Sequence, residues 1–141
     1  MKNKFLTIMM ILLVTITLAG VIALVVIIKF SDEEEAKEPS IEEVIEASVD
    51  IPEITTNLSS NDYIRISFKI QTDSKKAKEE LEKRDFQVNN IIIEELSEMK
   101  AEDLQGKKGK ELIEGKVKEK VDALMQEGMI KKVYITSMMI Q

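Results

Sequence analysis

Residues Phe5 to Ile28 read FLTIMMILLVTITLAGVIALVVII, and no charged side chain interrupts them. As an α-helix this run rises about 36 Å, enough to cross a hydrocarbon core of about 30 Å with some tilt. A buried helix of a soluble protein rarely runs so far without a polar face. A cleaved signal peptide has an apolar region of about 7 to 15 residues and then a small-residue cleavage site. Here Val, Ile and Leu continue past Ala19 and Gly20, and no lipoprotein cysteine follows. The run therefore predicts an uncleaved anchor.

Its flanks predict an orientation. Lys2, Lys4 and the terminal amine precede the span; Lys29 follows it, and then Asp32, Glu33, Glu34 and Glu35. Positive charge is retained on the cytoplasmic side, so the N-terminus is expected inside and everything after Lys29 outside. The chain then divides into a cytoplasmic tail (1–4), a transmembrane helix (5–28), an acidic linker with a short helix (29–48) and an extracytoplasmic domain (49–141). Thr15, Ala19 and Ala23 share one face of the span, with Gly20 beside them. Small residues at that spacing let membrane helices approach closely, although they are also common in spans by chance.

Composition narrows the chemistry. The 141 residues include no Cys, His or Trp. Disulfides, thiolate metal sites and cysteine nucleophiles are excluded, and the commonest general base and metal ligand is missing. No catalytic, cofactor-binding or metal-binding residue is assigned, and no cofactor is expected. All 26 acidic residues follow Ser31, whereas three of the 20 basic ones, Lys2, Lys4 and Lys29, precede it, so the outer part is more acidic than the chain's net −6. That balance argues against nucleic acid as a partner.

Ser31 to Glu38 reads as an extended, self-repelling linker ended by Pro39. Ser40 with Glu43 fits a capping box ahead of Ile41, Val44 and Ile45. Val49 to Thr56, β-branched around Pro52, suits an edge strand. NLSSND, Asn57 to Asp62, is turn composition. In Tyr63 to Gln71, Ile64, Ile66, Phe68 and Ile70 alternate with Arg65, Ser67, Lys69 and Gln71, which predicts a half-buried strand paired with the first in a hairpin. Asp73 to Phe86 reads as a charged helix resting on the sheet through Ala77 and Leu81. Val88, Ile92, Leu96 and Met99 give a second helical stripe, and Ile113, Val117, Val121 and Leu124 a third, with Gly128 placed as its C-terminal cap. Lys131 to Gln141 predicts a last strand, with Val133, Ile135 and Met139 on one face and Tyr134, Met138 and Ile140 on the other. Such a strand is either central and covered on both faces or offers an apolar surface to a partner. The fold class is α+β: helices packed on a small antiparallel sheet in the order β-β-α-α-α-β.

Two motifs suggest other functions. Gly106-Lys107-Lys108-Gly109, with Lys110, resembles the GXXG loop with which KH modules clamp single-stranded RNA. An exported loop does not meet RNA, and the glycines also suit the turn before a helix. Glu94 and Glu98, one helical turn apart, resemble the carboxylate pair of a glycosidase, but that spacing is ordinary helix surface and few aromatic residues accompany it.

The residues in sequence resemble one family, the flagellar basal-body-associated protein FliL, along the whole chain. TTNLSSNDYIRISFKIQ is similar to the family's first strand, turn and alternating second strand. VNNIIIEELSEMKAEDLQGKKGKELI resembles its helix, its "dL-x-G-x-x-G" turn and its last helix, and GMIKKVYITSMMIQ its C-terminal V-Y strand. Val121-Asp122 stands where the family has Ile-Asn. The resemblance implies a non-enzymatic accessory of the bacterial flagellar motor, in the cytoplasmic membrane at the basal body. It implies a stomatin-type (SPFH-like) outer domain that forms homo-oligomeric rings around stator units. Such a protein supports torque, swimming and swarming motility. The alternative is a generic anchored scaffold or sensor outside the motor.

Overall fold

The computed structural model describes residues 2–32 and 37–141. The chain forms two compact units, 1–38 and 39–141.

The first unit is one helix, α1 (Lys2–Asp32), in which Lys2–Phe30 is long and apolar enough to cross a membrane. Its side chains from Lys2 to Phe30 are all exposed. The hydroxyls of Thr7, Thr15 and Thr17 donate to the carbonyls of Asn3, Ile11 and Leu13, one turn back. Their polarity is thereby satisfied within the helix, as a hydrocarbon environment requires. The helix continues through Ser31 and Asp32, two residues read from sequence as extended linker; Glu33 to Ala36, in the same stretch, lie outside the described residues.

The second unit opens with α2 (Ile41–Glu46), for which Ser40 supplies the capping box. Its hydroxyl accepts from Glu43 N–H at 3.3 Å, and its own N–H donates to the Glu43 carboxylate at 2.8 Å. Strands β1 (Ser48–Asn57) and β2 (Tyr63–Thr72) follow, then helices α3 (Lys75–Lys83) and α4 (Asp85–Glu98). A single 3-10 turn (Ala101–Leu104), α5 (Gly106–Asp122) and β3 (Ile130–Ile140) complete the unit. The sheet is antiparallel, three-stranded and ordered β1-β2-β3. β2 is the central strand, and its alternation is complete: Ile64, Ile66, Phe68, Ile70 and Thr72 are buried while the residues between them are not. Helices α3, α4 and α5 cover that inner face with Ala77 and Leu81, Val88, Ile92 and Leu96, and Ile113, Val117 and Val121. Leu58, in the β1–β2 turn, is also buried in this core.

The last strand differs from its expected form. It is an edge strand, and its pairing shifts register between Ser67↔Ser137 and Phe68↔Ile135, so Thr136 is an extra residue. An extra residue reverses the alternation beyond it. Val133, Ile135, Met138 and Ile140 therefore all pack toward the core, and Tyr134 and Met139 are left on the open face. The strand is not apolar on both faces. β3 shifts again between Gln71↔Lys132 and Thr72↔Ile130, passing over Lys131, and a third shift at Pro52 and Glu53 in β1 brings Val49, Ile51 and Ile54 to the core side. Two smaller corrections concern the end of α5. The helix stops at Asp122, so Leu124 lies beyond it, and its C-cap is Ala123 rather than Gly128. Gly128 instead takes φ +91° in the α5–β3 loop, where an added Cβ would meet the Asp73 carboxylate.

Candidate interaction surface

The glycine motif proves to be a packing device. Gly106 starts α5 at φ +70°, a left-handed conformation that glycine adopts without strain. Gly109 is helical and buried, and a Cβ there would run into the backbone of Asp103 and Leu104. The 3-10 turn can press against the first turn of α5 only because Gly109 has no side chain. Lys107, Lys108 and Lys110 project into solvent, and Lys107 pairs with Glu111 at 3.7 Å.

The proposed carboxylate pair is likewise surface. Glu94 and Glu98 are exposed, and Glu94 accepts from the Asn90 side chain at 2.9 Å. The buried carboxylate of α4 is Glu95, only 5% exposed, which pairs with Lys120 and, at 3.4 Å, with Lys116 of α5. The Lys120 hydrogen bond holds the Glu95 carboxyl below the usual range against the opposing effect of burial, and Lys116 adds to it. The same bond raises Lys120. This arrangement clamps α4 to α5. Among the described residues no group of three or more His, Cys, Asp or Glu side chains is placed to hold a metal ion.

Carboxylates also fix the α5–β3 loop. Glu80 on α3 accepts from the N–H groups of Gln126 at 3.0 Å and Glu127 at 2.6 Å, and from Arg84 at 2.8 Å. Burial raises its pKa, but the Glu127 N–H, Arg84 and the Gln126 N–H together outweigh it and leave the carboxyl lowered. Asp73 accepts from Met129 N–H at 3.1 Å and Asp122 from Ile130 N–H at 2.7 Å.

Two faces of the unit remain open. The outer face of the sheet is polar, with Arg65–Glu53 at 2.8 Å, Lys69–Asp50 at 3.3 Å and Lys132 above the Tyr134 ring at 4.9 Å. A second exposed surface, at the start of α4, is partly apolar. Phe86, in the first turn of α4, is 68% exposed and lines a dent of about 390 Å³ with Gln87, Asn90, Ile91 and Leu124. On α2, Ile41 and Ile45, one turn apart, are 65% and 54% exposed. Sequence reasoning missed Phe86 by assigning it to the end of the preceding charged helix, although a lone aromatic in so polar a stretch was the available signal. It missed Glu95 because the residue sits inside an apolar stripe at helical spacing from Ile92.

The model of the family described as flagellar basal body-associated protein FliL matches residues 48–141, which is the whole sheet with its helices. Among curated proteins, the chain is 50% identical over 111 residues to "Flagellar protein FliL" of Bacillus subtilis (strain 168), with 79% of each chain covered.

Proposed function

Because this chain belongs to the FliL family of flagellar basal body-associated proteins, we propose that it serves the flagellar motor as a non-enzymatic, membrane-anchored accessory that assembles around stator units. The observation that carries this reading is the family match over residues 48–141, the whole sheet with α3, α4 and α5. The apolar α1, compatible with anchoring, and the exposed apolar surfaces on α2 and α4 support it. In this reading α1 crosses the cytoplasmic membrane once, with the N-terminus inside. The outer units stand side by side as a ring of identical copies. Weak contacts suffice, because confinement to the membrane plane raises the effective concentration of each neighbour. A ring enclosing a stator unit favours its engaged state by binding that state better than the idle one, and so supports torque, swimming and swarming. The likeness of the outer unit to the stomatin-type fold belongs to the same reading.

A clean deletion tests it. Filaments should remain while motility falls, most on surfaces where load is high, and fluorescently tagged stators should dwell for less time at the motor. Normal surface motility with normal stator residence would refute the motor role. For topology, a reporter active only outside the cytoplasm and fused after Gln141 should be active, and activity of a cytoplasm-only reporter there would reverse the orientation.

A further inference from the structure

Between Val121, the last buried residue of α5, and Ile130, the first residue of β3, the chain runs as a loop beside α3. Its stretch Gln126–Met129 is exposed at all four residues, so no buried side chain holds it down. Hydrogen bonds do so instead. Among the described residues, one backbone bond ties the stretch to another segment: the Asp73 N–H donates to the Met129 carbonyl at 3.1 Å. The other ties are carboxylates. Glu80 of α3 accepts from the Gln126 N–H at 3.0 Å and the Glu127 N–H at 2.6 Å, and Asp73 accepts from the Met129 N–H at 3.1 Å. Gly128, at φ +91°, sits so close to Asp73 that a Cβ would meet the carboxylate. A segment with few buried apolar contacts opens at low free energy while the core stays closed.

We propose that Gln126–Met129 is an acid-released strap, which lifts off α3 as one unit between the buried posts Val121 and Ile130 while the sheet and helices stay folded. Two of its ties converge on one carboxylate, and a hydrogen bond to a charged acceptor is about twice as strong as one to a neutral acceptor. Protonating Glu80 therefore weakens both ties at once. The charged groups around Glu80 are Lys76, Glu79, Lys83 and Arg84 of α3 and Glu127 of the strap, and α4 adds the uncharged Phe86 and Gln87. Burial raises the Glu80 carboxyl, but the Glu127 N–H, Arg84 and the Gln126 N–H outweigh it and leave the carboxyl below its usual 4.5. A carboxyl lowered in this way stabilises the closed strap above its ordinary value, and that stability is lost as pH falls through the folded value. The strap is thus closed at neutral pH and released by acid. Every contact lies within one chain, so the strap works in a lone copy as in an assembled one. The shape of the surface beside α3 then varies with acidity while the fold does not.

Hydrogen exchange of the full chain in lipid nanodiscs, corrected for the intrinsic pH dependence of exchange, reads the strap directly. From pH 7 to pH 3 the protection of the Gln126 and Glu127 amides should fall about fivefold, the advantage of a charged over a neutral acceptor. Phe68 and Ile70 of β2 should stay about a hundredfold or more better protected throughout, because they open only with the core. Glu80→Gln keeps the shape of the side chain but not its charge, so the same two amides should begin at the lower protection and stay there across the range. Gly128→Ala cannot seat against Asp73 and should lower protection at Met129 at every pH. Parent protection indifferent to acid, a full acid fall that survives Glu80→Gln, equal protection of the strap and Phe68 amides, or undiminished protection at Met129 in Gly128→Ala would each overturn the proposal.

Discussion

Replacing Gly109 and Gly115 by alanine, one at a time, sets the same chemical change in the same helix against two different surroundings. At Gly115 a new Cβ meets nothing within 4 Å, and the position is exposed. Gly115→Ala therefore removes backbone freedom from the unfolded chain at no steric cost and should stabilise by about 0.5–1 kcal/mol. At Gly109 the Cβ collides with the backbone of Asp103 and Leu104, which cannot rotate aside as a side chain could. Overpacking of a close contact costs about 1–3 kcal/mol, and the helical preference of alanine returns at most about 1 kcal/mol. Gly109→Ala should thus destabilise by about 1–2 kcal/mol. A domain of this size shifts its midpoint by about 4–8 °C per kcal/mol, so the two variants should melt on the order of 10–20 °C apart, on opposite sides of the parent. Thermal and urea unfolding of residues 39–141, followed by circular dichroism, measures both. If Gly109→Ala is as stabilising as Gly115→Ala, the account of that glycine as a close-packing residue is wrong.

Glu80, held below its usual 4.5, gives stability that is present above that value and lost as pH falls through its lowered folded value. Glu80→Gln should therefore flatten the acid limb of a stability–pH curve and speed amide exchange at Gln126 and Glu127; an unchanged limb would deny the carboxylate its role. Glu95→Ala should cost only about 1–2 kcal/mol in urea unfolding, because it releases Lys116 and Lys120, 42% and 54% exposed, back to water rather than stranding buried charges; a loss above about 3 kcal/mol would mean the pair is buried more deeply. Tyr134→Asp loses the Lys132 contact over its ring and strand preference but empties no core space, so it should cost about 1–2 kcal/mol, and a loss above about 3 kcal/mol would place that ring in the core.

Where a single period governed an element, the sequence was readable. β2 is central and unbroken, so its alternation could be read directly, and the stripes of α3, α4 and α5 appeared as runs of apolar residues three and four apart. The failures share a physical cause. Thr136 is invisible as a bulge in the sequence of β3 alone, because the extra residue is defined by its partners Ser67 and Phe68. The strand's apolar residues consequently looked divided between two faces, when Val133, Ile135, Met138 and Ile140 share the core side and Tyr134 and Met139 lie on the other. Gly128 and Leu124 were placed on a helix that ends at Asp122, where the loop is held by Glu80 and Asp73 from distant segments. Gly106-Lys-Lys-Gly109 was legible as a turn, but the contact that excludes a Cβ at Gly109 depends on how the 3-10 turn packs. The groove at Phe86 needed three separate segments to meet.

Both edge strands carry a bulge, and that affects how crowded copies avoid one another. β1 interrupts its pairing at Pro52, which has no N–H to donate, and β3 interrupts its own at Thr136, where Glu114 occupies the Ile135 N–H at 3.1 Å. Bulges, prolines and capped amides are the devices that keep exposed sheet margins from templating one another. Copies of this unit that meet edge to edge are thereby protected from growing into a continuous β-aggregate.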